Sequence, residues 1–303
     1  MKRMKFLLVT LISLLATSTS VMCYAQEGEI VNAKNIYTYT DMQSDIIELC
    51  ATYPCVSYNT LGKSASGLSI YEVVLGDPNA KHHICVNASI HAREYQNTLL
   101  VMDLLEDACI KGWDKDVCIH FVPMVNPDGV AISQSGIDKL WKANGNGVDL
   151  NRNFPTGWGY VDPKGYSTVP SREFYCGASE ASELETKAMI KLLTQRKYDC
   201  VLSYHQAGQV LYWGVDGMNP AVEALDKSLA ITLKNCTGYY MSRCKTANGG
   251  MGDYINSALN TPNVTIETGK SAPNPHSSYK TVYNQNKNVL YSVADWCINT
   301  YNN

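Results

Sequence analysis

Residues 83–110 read HICVNASIHAREYQNTLLVMDLLEDACI. The first eight are mostly apolar, as in a strand buried on both faces. Residues 98–110 then carry apolar side chains at helical spacing. A doubly buried strand leading straight into an amphipathic helix is the unit of a largely parallel sheet clothed by helices. The connection, Ser89-Ile90-His91-Ala92-Arg93-Glu94-Tyr95, leaves the strand at its carboxyl end. Sheets of this kind bind ligands beyond those ends.

The same alternation extends in both directions. Upstream, Ile46, Ile47, Leu49 and Cys50 predict a helix over 41–51. A turn-rich break at 62–67 precedes an alternating strand, 68–75, which Gly76-Asp77-Pro78 ends. Downstream, the apolar strand 117–125 is closed by a turn, Asn126-Pro127-Asp128-Gly129. Ser179 is expected to cap a helix over 179–197, with Leu184, Ala188, Leu192 and Leu193 on one face. A strand at 200–204, a helix at 221–234, a strand at 264–268 and a terminal helix at 283–299 complete the series. The expectation is an α/β fold: a central mixed, mostly parallel twisted sheet with helices on both faces.

The chain of 303 residues is 45% hydrophobic and 17% charged, enough apolar material for one sizeable core. It shows no internal repeat or long linker. Lys2, Arg3 and Lys5 followed by the apolar run 6–16 read as a signal peptide, cut after Ala25 in Cys23-Tyr24-Ala25. Met22 argues against lipidation at Cys23. The reading gives a signal peptide at 1–25 and a single catalytic domain at 26–303. Cleavage removes three positive charges and no negative ones, taking the net charge from −3 to −6. That balance excludes nucleic acid and anionic membranes as partners. An exported chain with eleven cysteines invites disulfides. Cys85, Cys118 and Cys200 lie in apolar strands and read as buried thiols, whereas Cys50/Cys55 and Cys236/Cys244 are the better candidates for pairing.

His91 and Glu94 stand three apart where the chain turns into helix, so both side chains project to one side. Imidazole and carboxylate suit zinc, and a catalytic site wants a third ligand. His205, in Ser203-Tyr204-His205, supplies it from the end of another apolar strand. An isolated H-x-x-E is weak evidence. The other four histidines carry no chemistry in this reading: His82 and His83 begin a strand in solvent, His120 lies in mid-strand and His276 in a Pro/Ser-rich loop. Two further segments strengthen the pattern. Val148-Asp149-Leu150-Asn151-Arg152-Asn153-Phe154 holds an Asn-Arg pair suited to gripping a carboxylate. Thr265-Ile266-Glu267-Thr268 sets a carboxylate at the end of an apolar strand.

Taken in order, His91-x-x-Glu94, Asn126-Pro127-Asp128-Gly129, Asn151-Arg152-Asn153-Phe154, Ser203-Tyr204-His205 and Thr265-Ile266-Glu267 resemble the zinc carboxypeptidase family from about residue 37 onward. The resemblance implies an α/β sandwich with one zinc ion held by His91, Glu94 and His205. It further implies Asp149 orienting a ligating histidine, Asn151 and Arg152 clamping the substrate's terminal carboxylate, Arg93 touching substrate, and Glu267 as general base and proton shuttle. Digestive members have Trp-Arg where this chain has Trp141-Lys142, so Lys142 would offer the oxyanion a point charge and no fork. The substrate-capping tyrosine of those enzymes falls near Lys245, with Tyr239 or Tyr240 as substitutes, and the pocket base falls at Gly252, beside Asp253.

Those departures are similar to a bacterial subgroup, the γ-D-glutamyl-diamino acid endopeptidases. The similarity rests on Trp141-Lys142-Ala143-Asn144, residues 147–155, and Asn286-Lys287-Asn288-Val289-Leu290. It implies a secreted monomer acting at the cell wall or in the periplasm on peptide or muropeptide substrates with a free carboxylate. There, Asp253 would receive the distal ammonium of meso-diaminopimelate. An ordinary carboxypeptidase trimming C-terminal residues uses the same chemistry. A binding protein that has lost catalysis, or an amidohydrolase of N-acyl amino acids, fits less well, because all four zinc and base residues and Asn151-Arg152 are present.

Overall fold

The computed structural model describes residues 29–302, so the expected signal peptide at 1–25 lies outside the described residues. Eight strands form one sheet in the order β1-β2-β4-β3-β5-β8-β6-β7. In chain order these are β1 (Val56–Lys63), β2 (Ser69–Leu75), β3 (His82–Ala88), β4 (Val117–Val122), β5 (Cys200–Gln206), β6 (Val210–Trp213), β7 (Tyr240–Arg243) and β8 (Asn263–Thr268). The central strands β4, β3, β5 and β8 run parallel. Antiparallel pairings attach β1 and β2 at one side and β6 at the other, and β7 runs parallel to β6. Every residue of β4 and β5 is buried, which explains their almost unbroken apolar sequences. Polar residues in the middle of the sheet bond across neighbouring strands. Asn87 Nδ2 donates to Ser203 Oγ at 3.1 Å and to the Leu202 carbonyl at 3.2 Å.

Eight helices cover the sheet: α1 (Tyr39–Thr52), α2 (Gln96–Ile110), α3 (Pro127–Gln134), α4 (Leu184–Gln195), α5 (Pro220–Thr237), α6 (Met251–Ser257), α7 (Tyr279–Asn286) and α8 (Val289–Tyr301). Alternation along the strands divides the core in two. Ile84, Val86, Leu202 and Ile266 pack under α1, α2, α5, α7 and α8. Cys85, Val122 and Val201 point the other way, under α4 and α6. Helices therefore lie on both faces, as the sequence predicts. Local signals set several helix ends. Thr38 and Asp41 form a reciprocal capping box on α1. Asn219 and Pro220 start α5, and Gly238, at φ 75°, stops it in the left-handed region.

Several expectations are corrected. Residues 126–129 are the start of α3, with Asn126 Oδ1 accepting from the Gly129 amide at 3.0 Å. The helix expected from Ser179 begins at Leu184. Asn153 Nδ2 instead takes the Ser179 carbonyl at 3.0 Å and Ser182 Oγ at 3.0 Å, holding 179–182 out of the helix. The terminal helix is two helices, interrupted at Lys287-Asn288. His82 is buried and hydrogen-bonds Asp199 through Nδ1 at 3.2 Å, and His83 is half-buried, so neither is solvated as expected. Cys50, Cys236 and Cys244 are free thiols, so the two expected disulfides do not form, while Cys55 is disulfide-bonded. The thiols of Cys85, Cys118 and Cys200 are buried, as expected. Among the described residues, no helix is long and apolar enough to cross a membrane.

Candidate active site

Just past the end of β3, Ser89 adopts φ 54°, an uncommon conformation for a residue with a side chain. Its hydroxyl meets Thr98 Oγ1 at 2.8 Å, and Asn126 Nδ2 holds the Ile90 carbonyl at 3.1 Å. The chain then tightens into a 3-10 turn, Ala92–Glu94, which swings His91 and Glu94 to one side. His205 approaches from β5, next but one along the sheet from β4. His91 Nδ1 lies 2.8 Å from Glu94 Oε1, His205 Nδ1 lies 3.0 Å from Glu94 Oε2, and the two Nδ1 atoms are 3.1 Å apart.

This trio is a fit for a cation. All three side chains are buried, and their donor atoms lie within 4.8 Å of one another. Glu94 Oε2 has no hydrogen bond despite its short distance to His205. The lone pairs therefore converge on a shared point better than they pair among themselves. Two imidazoles and a carboxylate are a donor set of catalytic zinc sites, which keep a further position open. Burial alone would raise the Glu94 carboxyl, but His91 and His205 outweigh it and hold Glu94 well below the usual carboxylate range.

Behind the trio runs a charged chain. Asp149, fully buried, has Oδ1 at 3.3 Å from His91 Nε2 and Oδ2 at 2.9 Å from Lys142 Nζ. Lys142 also stands over the Phe174 ring, 5.4 Å from its centroid. Burial would push Asp149 up, yet Lys142 first and His91 second bring it well below normal. The expected point charge at Lys142 is thus present but held by Asp149, beside His91.

Glu267 projects from β8, directly opposite His205 in register. Burial pushes its carboxyl up to about 7, and Oε2 has no hydrogen-bond partner. Asn151 Oδ1 accepts from the Met251 amide at 2.8 Å, leaving its Nδ2 for the cavity. Arg152 Nη2 pairs with Asp162 at 2.8 Å, and Arg93 Nη1 pairs with Glu173 at 3.2 Å. Asp253 lies in the first turn of α6, where Oδ2 accepts from the Asn248 amide at 2.7 Å and the Gly250 amide at 3.2 Å.

A single cavity of about 450 Å³ gathers nearly all of the expected site residues, with Asp149 placed behind it against His91 and Lys142. Gly252 lines its floor, and a Cβ there would come within 2.8 Å of Asn263 Nδ2. The expected capping tyrosines are misplaced. Tyr239 is buried against Gln285 and Asn286, and Tyr240 is 77% exposed; Tyr212, on β6, is the tyrosine that lines the cavity. Sequence reading also missed Glu173, Phe174, Asn256 and Asn263. Glu173 and Phe174 reach the cavity from an irregular loop, Asn256 from the short helix α6 and Asn263 from the first position of β8, and no periodicity marks them.

Comparison with known proteins agrees with this geometry. A family model described as zinc carboxypeptidase matches residues 42–289. Gamma-D-glutamyl-L-diamino acid endopeptidase 1 of Lysinibacillus sphaericus is 29% identical over 289 residues, covering 84% of this chain and 72% of that protein. The solved carboxypeptidase A from Helicoverpa armigera superposes with a TM-score of 0.76 at 20% identity, covering 92% of this chain and 78% of that one. Murein-tripeptide amidase MpaA from Escherichia coli O157 superposes with a TM-score of 0.54 at 21% identity, covering 80% and 91%. This chain belongs to the zinc carboxypeptidase family, whose members are hydrolases that use a zinc ion.

Proposed function

We propose that the protein hydrolyses the γ-D-glutamyl-diamino acid bond of peptidoglycan stem peptides, with meso-diaminopimelate as the diamino acid. The observation that carries this reading is the polarity of the cavity floor, formed by Gly252, Asp253, Asn256, Asn263 and Thr265. An aliphatic or aromatic C-terminal residue would lay apolar surface against these polar groups and strip their hydration, whereas a side chain ending in an ammonium and a carboxylate can add hydrogen bonds to them. The similarity to the Lysinibacillus endopeptidase over most of both chains supports the same substrate class.

His91, Glu94 and His205 hold the metal in this reading. Bound zinc would supply a Lewis acid and a water of lowered pKa. Glu267, desolvated and with a free oxygen, takes the water's proton and passes it to the leaving amine. Asn151 Nδ2 and Arg152 receive the substrate's terminal carboxylate, and Arg93 stands beside them. Asp149 fixes the tautomer of His91 through Nε2, and Lys142 keeps Asp149 ionised while adding positive charge near the developing oxyanion. Residues 1–25 serve as an export signal, delivering residues 26–303 as a secreted monomeric catalytic domain to the cell envelope, where such peptides lie.

The test is hydrolysis of L-Ala-γ-D-Glu-meso-diaminopimelate and of a blocked dipeptide by the zinc-loaded protein, with Glu267→Ala as control. Release of diaminopimelate by the wild type alone is expected. Cleavage restricted to the dipeptide would make the protein an ordinary carboxypeptidase.

A further inference from the structure

We propose that His83, Cys118 and His120 form a second metal site, for a divalent ion of the zinc type, at the opposite end of the sheet from the active site. β3 and β4 are parallel neighbours, with His83 in register with Cys118 and Cys85 with His120. Residues 83, 85, 118 and 120 therefore share one face of the sheet. His83 stands at the amino end of β3, and the chain reaches His91 only beyond the carboxyl end. At roughly 3.3 Å per strand residue, the two clusters are about 20 Å apart.

Three observations point to a metal. First, the donor atoms of His83, Cys118 and His120 lie within 4.8 Å of one another, and Cys118 and His120 are buried. Second, His83 Nδ1 faces His120 Nε2 at 3.0 Å, while His120 Nδ1 lies 2.7 Å from Glu72 Oε1. A carboxylate hydrogen-bonded at Nδ1 leaves Nε2 to offer its lone pair to the cluster; this is how metal-ligating histidines are oriented. Third, His83 is only half-buried, which leaves an entry path.

The surrounding charges suit a divalent ion. Arg196 Nη1 lies 3.3 Å from His120 Nε2, and Asp199 Oδ2 accepts from the His83 amide at 2.9 Å. Binding breaks the Cys118 S–H bond, forms a metal–sulfur bond and releases the proton to solvent. Without metal, the same groups settle as a His83–His120 hydrogen bond with Arg196 alongside.

Cobalt(II) separates the two states. The catalytic trio contains no sulfur, so a thiolate-to-cobalt charge-transfer band in the near ultraviolet reports a site of the second kind. We expect the full chain to take up two cobalt ions and show that band. Cys118→Ser should lose the band and one ion while keeping peptidase activity. His91→Ala should lose the other ion and keep the band. A wild type that binds one ion without the band, or a band that survives Cys118→Ser, would overturn the proposal.

Discussion

His205 and Glu267 are register partners on the neighbouring parallel strands β5 and β8. A metal donor and the carboxyl assigned to proton transfer are thus spaced by sheet hydrogen bonds, which are among the most rigid connections a fold offers. A change at Glu267 should stay local.

Glu267→Gln keeps the shape and removes the proton acceptor. We expect kcat to fall by about 10²–10⁴, with zinc content preserved and thermal stability equal to the wild type or higher, since a buried group that resists ionising is replaced by a neutral one. A variant that kept more than a tenth of its activity would assign the base elsewhere.

Lys142 and Asp149 should behave as one unit. Lys142→Met leaves the fully buried Asp149 facing His91 alone, which is expected to cost roughly 3–5 kcal/mol of stability and about 10–100-fold in zinc affinity. Adding Asp149→Asn should recover part of the stability, because the stranded charge disappears. Chemical denaturation of both single variants and the double variant reads this directly. Strictly additive losses would show that the pair is not coupled.

Glu185, on α4, makes the folded protein pH-sensitive. It is 1% exposed, its Oε1 lacks a partner, and burial pushes its carboxyl from 4.5 up to about 7. The fold therefore retains a proton that the unfolded chain gives up. The resulting stability is complete below the unfolded pKa and is lost as pH rises through 7. Thermal melts should show the wild type weakening between pH 4.5 and about pH 7 and levelling off above. Glu185→Gln should flatten that slope and gain roughly 1–3 kcal/mol at the alkaline end. An unchanged slope would clear Glu185 of the effect.

Asp253 reads the substrate's side chain in the proposed function, but it also caps α6. Asp253→Asn keeps an oxygen for the Asn248 and Gly250 amides, so stability should change by no more than about 1 kcal/mol. The kcat/KM preference for the diaminopimelate peptide over the blocked dipeptide should fall by about tenfold or more. Retained preference in a folded variant would move recognition to Asn256 or Asn263.

The sheet and the metal trio were legible because their signals are local. Strands buried on both faces are apolar throughout, and His91, Glu94, His205 and Glu267 sit at or just past the ends of such strands. Where tertiary contacts decide the backbone, the sequence misleads: Asn153 keeps 179–182 out of α4 although Ser179 looks like a cap. The tyrosine that lines the cavity was missed for a different reason. Tyr212 belongs to a four-residue strand, β6, defined by its pairing with β8 and β7 and not by any local signal. The solvated look of His82 and His83 failed because their partners, Asp199 and His120, are distant in sequence.

One long loop, between Arg152 and α4, contributes both Asp162 and Glu173, and each of these carboxylates already holds one of the arginines at the cavity, Arg152 and Arg93. An approaching peptide therefore meets a mouth whose positive charge is largely cancelled before contact. Long-range attraction should contribute little to its capture, so the association rate should respond only weakly to ionic strength. Discrimination then falls to the docked pose, where an incoming carboxylate must share or displace an internal one, and a ligand that merely carries the correct charge gains nothing by it.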